Sequence, residues 1–197
     1  MKSKQKVLVI HGFNSSPQSL KAELTKAYIA DNFVDIEVIC PQLASTPNAA
    51  IIQLCQIIEA DPDVDWYLTG SSLGGYFATY LVDKYQVPAV LINPAVRPFE
   101  LLAEHLGEQT NPYTGEIYQV TEQHMMQLKA LERAVSAEKK FFVMVQTGDE
   151  VLDYQQAVTK YQHCKLIVQH GGDHSFINFA NMLPEIVKFF QLSTTTK

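Results

Sequence analysis

The chain has 197 residues, of which 47% are hydrophobic and 18% are charged. This length and composition predict a single globular domain over residues 1–197 and exclude an intrinsically disordered chain. The formal net charge of −6 argues against a nucleic-acid partner, because binding phosphates requires a basic face.

Disulfide, metal and membrane signals are missing from the sequence. Cys40, Cys55 and Cys164 are widely separated and match neither a disulfide framework nor the spacing of a zinc site. No apolar run approaches the roughly 18 residues that a membrane span needs. We therefore expect a cytoplasmic protein with no membrane span and no bound metal or cofactor.

Six short apolar runs, rich in β-branched and aromatic residues, recur along the chain. They occupy residues 7–10, 36–39, 67–69, 89–92, 141–145 and 166–168. Nearly continuous apolar character is typical of strands that are buried on both faces of a parallel sheet. Stretches with helical spacing separate most of these runs, and Ser16-Pro17 and Thr46-Pro47 are helix start signals. The pattern predicts a three-layer α/β fold with a mostly parallel six-stranded sheet and helices on both faces.

The connection between the fourth and fifth predicted strands is long. It has helical stretches near residues 100–106 and 121–135, and its prolines and glycines are Pro94, Pro98, Gly107, Pro112 and Gly115. A connection of this length in a compact domain is typical of a lid or cap. We expect a small helical cap insertion at about residues 97–136, whose apolar side chains either line an acyl pocket or pack onto the domain. Arg97 is either a contact for an anionic substrate group or an arginine that is simply solvent-exposed or paired.

The segment Gly70-Ser71-Ser72-Leu73-Gly74 follows the third predicted strand and precedes a helix. It has the G-x-S-x-G pattern of a nucleophilic serine in a tight strand-to-helix turn, where the glycines relieve steric crowding. Ser72 is the candidate nucleophile, and Ser71 is expected to be structural. The backbone N–H of Leu73, at the start of the helix, is a candidate oxyanion-hole donor.

A histidine and an aspartate follow the last two predicted strands. His174 lies on a glycine-rich loop, and this position favours it as general base over His170, which falls at the end of a strand, and over His105, His124 and His163. Asp149 is the candidate partner that orients the imidazole. Glu150 and Asp153 are the local alternatives to Asp149, although Asp153 fits a helix N-cap better.

The first predicted strand ends in His11-Gly12-Phe13. The second oxyanion-hole donor is expected in this loop, and the backbone N–H of Phe13 is the candidate. Gly12 lets the backbone approach closely, and His11 is expected to brace the loop.

Six segments together resemble the small YqiA-type bacterial esterases, which are α/β-hydrolases. They are HGFNSSP, GSSLGGYFATYL, INPAVRP, NPYTGE, TGDEVLDY and GGDHSF. The resemblance spans nearly the whole chain and implies a triad of Ser72, Asp149 and His174, in the usual chain order of that fold. It implies a serine esterase that forms an acyl-enzyme on small to medium acyl esters, so that the expected partner is a small-molecule acyl ester or thioester. The alternatives are an acyl-CoA thioesterase or an amidase with the same triad, and a catalytically silent homologue that only binds a ligand.

Overall fold

The computed structural model describes residues 4–193 and contains eight strands. They are β1 (Lys4–Ile10), β2 (Ile36–Ile39), β3 (Val64–Ser72), β4 (Ala89–Pro94), β5 (Gly107–Thr110), β6 (Ile117–Val120), β7 (Phe141–Gln146) and β8 (Lys165–Gln169). Six of them form the main sheet in the order β2-β1-β3-β4-β7-β8, and each neighbouring pair is parallel. The predicted mostly parallel six-stranded sheet is confirmed.

Seven α-helices accompany these strands in residues 4–193. They are α1 (Leu20–Asn32), α2 (Pro47–Glu59), α3 (Leu73–Tyr85), α4 (Pro98–Leu101), α5 (Glu122–Ala130), α6 (Tyr154–Lys160) and α7 (Leu183–Phe190). Short 3₁₀ turns lie at residues 102–105, 138–140 and 179–182. No helix within residues 4–193 has both the length and the apolar character needed to cross a bilayer.

The sheet is the middle of three layers, because successive side chains of a strand point to opposite faces. Leu8 and Ile10 of β1 pack in the same cluster as residues of α2, α3 and α6. Val7 and Val9 pack on the other face, against α1, and Val90 of β4 packs there against α7. Burial of both faces explains why these strands are apolar almost throughout their length.

The connection between β4 and β7 differs in part from the predicted helical insertion. It contains α4 and α5, but β5 and β6 form an antiparallel hairpin between them. The hairpin was not predicted, because Gly107–Thr110 has no apolar side chain and half of its residues are exposed. The predicted extension of the second helix to residue 135 was also wrong. That helix, α5, ends at Ala130, and Leu131 and Val135 beyond it pack onto the main core.

Candidate active site

Ser72 lies in a sharp turn at the junction of β3 and α3. Its φ of 55° and ψ of −122° are a conformation that residues with a side chain rarely adopt. The pairing of β3 with β4 also shifts its register between Ser71 and Ser72. The turn therefore separates Ser72 from the regular strand and places it directly before the N-terminus of α3, as a nucleophile elbow requires.

Glycines allow the backbone to pack closely around this turn. A Cβ atom on Gly70 would overlap the carbonyl of Gly74, and one on Gly74 would overlap the carbonyl of Ile10. A Cβ atom on Gly75 would lie 2.8 Å from the Cβ of Pro94 in β4. These three glycines thus let α3 start against the ends of β1, β3 and β4, which no larger residue permits without movement of the backbone.

The side chains of Ser72, His174 and Asp149 form a continuous line of contacts, with His174 in the middle. His174 Nε2 lies 3.1 Å from Ser72 Oγ, and His174 Nδ1 lies 2.9 Å from Asp149 Oδ2. With a proton on Nδ1, the imidazole donates to the carboxylate and Nε2 accepts from the serine hydroxyl. Each of the three residues stands at or just after the carboxyl end of a strand, namely β3, β8 and β7.

Asp149 is held in its charged form. Its side chain is 1% exposed, and Oδ1 accepts backbone N–H groups from Val151 at 2.9 Å and Leu152 at 2.8 Å. Burial alone would raise the pKa of Asp149, but the hydrogen bond from His174 and these backbone donors hold it below its ordinary value. The carboxylate therefore stays an acceptor and fixes the imidazole tautomer.

The alternative candidates have other contacts. Glu150 accepts the backbone N–H of His174 at 3.0 Å, and Asp153 caps α6 by accepting the N–H of Gln155 at 3.0 Å. His11 is buried, and its Nδ1 lies 2.9 Å from the Gly12 carbonyl while its Nε2 accepts the Leu43 N–H at 3.1 Å. His11 thus braces the loop after β1, as expected.

Two buried amides hold the loop of residues 170–178, called here the histidine loop. Asn93, in β4, donates through Nδ2 to the carbonyls of Asp173 at 3.0 Å and His174 at 3.3 Å. Gln146, at the end of β7, accepts through Oε1 the N–H groups of Asp173 at 3.1 Å and Ile177 at 2.9 Å. Neither residue was among the candidates predicted from the sequence. In the sequence, each of them is distinguished only as a polar side chain at the end of an otherwise apolar strand.

The two candidate oxyanion-hole donors belong to the residue after Ser72 and to the loop between β1 and α1. The Leu73 N–H belongs to the first residue of α3 and so has no acceptor within that helix. The loop of residues 11–19, between β1 and α1, passes close to the serine. A Cβ atom on Gly12 would lie only 3.7 Å from Ser72 Oγ. Phe13 follows Gly12 directly, and its N–H remains the candidate for the second donor.

The β5–β6 hairpin fixes this β1–α1 loop. Tyr118 donates its hydroxyl to Asn14 Oδ1 at 2.6 Å, and Asn111 donates to the Ser15 carbonyl at 3.2 Å. The Tyr118 ring also packs edge-on against Phe13, with ring centroids 6.4 Å apart. In the sequence, Tyr118 is one of several apolar and aromatic residues of the insertion, and this role was not predicted.

Two cavities meet at Gly12 and Phe13. The larger, about 340 Å³, is lined by Ser72 and His174 and also by Lys21 and Glu150; we call it the nucleophile cavity. The smaller, about 50 Å³, is called here the apolar cavity. Apolar side chains from α3 and from the insertion line it, namely Leu73, Phe77, Leu102, Val120, Met125 and Leu128.

Two further expectations concern charged and metal-binding residues. Arg97 pairs with Glu100 at 2.8 Å and its side chain is 53% exposed. It lines an open surface groove with Glu132 and Lys160 rather than either cavity described above. Within residues 4–193, no group of three or more His, Cys, Asp or Glu side chains is arranged to hold a metal ion.

Comparison with known proteins places the chain in a family and a fold. Residues 6–191 match the model of an uncharacterised protein family, UPF0227. The structure is similar to Est1E from Butyrivibrio proteoclasticus, solved with ferulic acid, at a TM-score of 0.74 and 14% identity over 98% of this chain and 90% of that one. For alpha/beta hydrolase domain-containing protein 10 from mouse, the TM-score is 0.70 and the identity 15%, over 96% of this chain and 92% of that one.

A third similar structure is XC6422 from Xanthomonas campestris, an α/β serine hydrolase without a lid. Its TM-score is 0.64 at 14% identity, over 100% of this chain and 86% of that one. At identities this low, the similar structures establish the fold alone. The family is established by the match to the family model, which extends over nearly the whole chain. The chain belongs to the UPF0227 family of YqiA-like proteins and has the α/β-hydrolase fold.

Proposed function

We propose that this protein is a serine esterase, with Ser72 as nucleophile, His174 as general base and Asp149 as the group that orients His174. The contacts of His174 carry the proposal, with Nε2 3.1 Å from Ser72 Oγ and Nδ1 2.9 Å from Asp149 Oδ2. The unusual backbone conformation of Ser72 supports it, since such strain persists chiefly where function requires it.

The reaction has two steps. His174 takes the hydroxyl proton as Ser72 Oγ attacks the acyl carbonyl, and the N–H groups of Phe13 and Leu73 bind the oxyanion of the tetrahedral intermediate. His174 then gives its proton to the departing alkoxide, which leaves Ser72 acylated. Water, deprotonated by His174, attacks the acyl-enzyme, and His174 then gives that proton to Ser72 Oγ as the acid leaves. Asp149 stabilises the imidazolium in both steps without becoming protonated.

The apolar cavity is the proposed acyl site. It is lined by Leu73 and Phe13, whose N–H groups are the proposed oxyanion donors, so an acyl chain can enter it while its carbonyl stays beside Ser72. At about 50 Å³ the apolar cavity is much smaller than the nucleophile cavity of about 340 Å³, which favours a short acyl chain over a long one.

The insertion at residues 97–136 acts in this proposal as a cap over the acyl site of a single domain. Leu102 and Val120 of the insertion line the apolar cavity. Tyr76 of α3 donates its hydroxyl to the Leu128 carbonyl at 2.7 Å, which ties the insertion to the elbow helix. These contacts support a cap that shapes the acyl site.

The test is hydrolysis of p-nitrophenyl esters from acetate to laurate by the wild type, Ser72→Ala and Ser71→Ala. We expect turnover that is greatest for the short esters and falls with acyl length. Ser72→Ala should lower kcat on the order of 10⁵- to 10⁶-fold, whereas Ser71→Ala, the neighbouring serine, should stay within a few-fold of wild type.

Two outcomes would contradict the proposal. Activity that survives in Ser72→Ala would mean that another group is the nucleophile. No turnover of any ester by the wild type would exclude esters as substrates and favour amide substrates or a ligand-binding role. Where the wild type does hydrolyse esters, a thioester of the preferred acyl group is measured beside the oxygen ester. The comparison determines whether the site favours an oxygen or a sulfur leaving atom.

A further inference from the structure

A lysine lines the nucleophile cavity together with Ser72 and His174. Lys21, in the first turn of α1, donates from Nζ to the backbone carbonyl of Ser175 at 2.9 Å. An ammonium group has three donors, so this contact leaves two of them for other partners. Within residues 4–193, Lys21 has no carboxylate at ion-pair distance, unlike Lys26 one turn further along α1, which pairs with Glu23.

The environment of Lys21 disfavours its positive charge. Burial lowers the pKa of Lys21, and the carboxylates of Asp173 and Asp149 offset this only in part. A partly desolvated cation whose direct partner is a neutral carbonyl is stabilised by an anion that enters its cavity. Nothing in the reaction steps proposed above uses this charge.

The chemistry of the reaction indicates which part of a substrate Lys21 faces. His174 must protonate the departing oxygen or sulfur, so the leaving group lies beside Nε2 of His174. His174 lines the nucleophile cavity and not the apolar cavity. The leaving group therefore occupies the nucleophile cavity, where Lys21 is, while the acyl chain occupies the apolar cavity.

Glu150 limits where an anion can bind. It also lines the nucleophile cavity, but one of its carboxylate oxygens accepts the backbone N–H of His174 at 3.0 Å, and the residue is exposed. Its negative charge repels an anion at the cavity rim near the histidine loop. An anionic group is favoured on the α1 side of the cavity, at Lys21.

We propose that Lys21 binds an anionic group, a carboxylate or a phosphate, on the leaving alcohol or thiol of the substrate. The substrate class is then a short-chain acyl ester or thioester whose leaving group is negatively charged. This inference rests on the proposed esterase function and defines the specificity of the same site.

The test uses two esters that differ only in charge, O-acetyl phloretate and O-acetyl phloretamide. Both release a phenol of nearly the same acidity, and the carboxylate of the first is replaced by a carboxamide in the second. We expect the wild type to prefer the carboxylate ester by about tenfold in kcat/KM, mainly through KM, as one charge-assisted hydrogen bond provides. Raising the salt concentration should reduce this preference.

Three variants locate the effect. Lys21→Met should remove the preference for the carboxylate ester, and Lys21→Arg should keep most of it. Lys26→Met is the matched control, because Lys26 lies on the same helix and contacts Glu23 and the Pro17 carbonyl instead of the cavity. It should leave the preference unchanged.

The results that overturn the inference differ from those that overturn the esterase proposal. A Lys21→Met variant that slows both esters equally would make Lys21 only a tie between α1 and the histidine loop. A wild type that hydrolyses both esters equally at low salt would also overturn the inference, whatever the variants do, while leaving the esterase function intact. A wild type that hydrolyses neither of these two esters nor any p-nitrophenyl ester would overturn both the inference and the esterase proposal.

Discussion

The Asn93 side-chain oxygen accepts a hydrogen bond of 2.9 Å from the backbone N–H of Gln146, across the neighbouring strands β4 and β7. The amide nitrogen of the same side chain donates to the carbonyls of Asp173 and His174. Asn93 has a φ of 40°, in the left-handed region that asparagine tolerates better than most residues. One buried side chain therefore joins two strand ends to the loop that carries the candidate base.

Asn93→Asp should impair turnover while the protein stays folded. Aspartate keeps the size of the side chain and its tolerance of a positive φ, but it places an oxygen against the carbonyls of Asp173 and His174. The repulsion displaces the histidine loop, and a displacement on the order of 1 Å lowers kcat by about 100-fold. We expect kcat on p-nitrophenyl acetate to fall about ten- to 100-fold with a smaller change in KM.

Asn181→Asp provides the control for this variant. Asn181 is exposed, so the same chemical change there should leave kcat within a few-fold of wild type. Circular dichroism and thermal unfolding establish that both variants are folded. A folded Asn93→Asp enzyme with the kcat of the wild type would show that Asn93 does not position His174.

The backbone strain at Ser72 predicts an opposition between activity and stability. A φ of 55° and ψ of −122° costs about 1–3 kcal/mol for a residue with a Cβ atom, whereas glycine adopts such angles freely. The extra freedom of glycine in the unfolded chain offsets about 0.4–1 kcal/mol of this gain. Ser72→Gly should therefore be more stable than Ser72→Ala by about 1 kcal/mol, although both are inactive.

Urea unfolding of the two variants measures this difference directly. Comparing glycine with alanine removes the contribution of the serine hydroxyl, which both variants lack. Equal stabilities, or a less stable glycine variant, would mean that the turn at residue 72 is not strained in solution.

The main sheet and the position of Ser72 could be predicted from the sequence, each for a different reason. Strands β1, β4 and β7 are buried on both faces, so an uninterrupted apolar run marks each of them. The strand β5, with the sequence Gly107–Thr110, has no such signal, because its polar side chains alternate between solvent and a partly covered face. Ser72 could be placed from its motif, since a strand–turn–helix with fixed glycines is a local pattern.

Lys21 and Tyr118 could not be placed in this way. Lys21 contacts the carbonyl of Ser175, 154 residues away, and Tyr118 contacts Asn14, 104 residues away. In the sequence, Lys21 is an ordinary polar residue of a surface helix and Tyr118 an aromatic residue of an irregular connection. Their roles arise only from the way that the sheet order brings distant loops to one edge, which no local pattern encodes.

Asp149→Asn should lower activity by reversing the imidazole tautomer. The introduced asparagine can keep its oxygen on the N–H groups of Val151 and Leu152, and its amide nitrogen then faces His174 Nδ1. The imidazole Nδ1 must then accept, so its proton moves to Nε2, which can no longer take the proton of Ser72. We expect kcat on p-nitrophenyl acetate to fall on the order of 10³- to 10⁴-fold with the fold preserved.

The control for Asp149→Asn is Glu150→Gln. The introduced glutamine still offers an oxygen to the backbone N–H of His174 and does not touch the imidazole. This variant should keep kcat for the neutral ester within a few-fold of wild type. Comparable losses in both variants would indicate a general disturbance of the loop after β7 rather than a change of tautomer.

His11 should make the stability of the protein depend on pH. Burial lowers the pKa of His11, and the hydrogen bond to the Gly12 carbonyl offsets this only in part. The neutral ring satisfies both nitrogens, because Nε2 accepts the Leu43 N–H, and a second proton would turn that contact into one between two donors. In the unfolded chain the same histidine binds its proton near its ordinary pKa of 6.5.

The sign of the effect follows from proton binding. Below pH 6.5 the unfolded state holds a proton at residue 11 that the folded state resists, so stability is full above this pH and is lost as the pH falls. His11→Gln cannot titrate and lacks this contribution. The difference in unfolding free energy between wild type and His11→Gln, measured by urea unfolding, should therefore be largest above neutral pH and shrink steadily as the solution is acidified. If the difference in unfolding free energy stays constant between neutral and mildly acidic solution, His11 does not resist protonation in the folded protein. Its contacts with Gly12 and Leu43 would then not hold the ring in its neutral form.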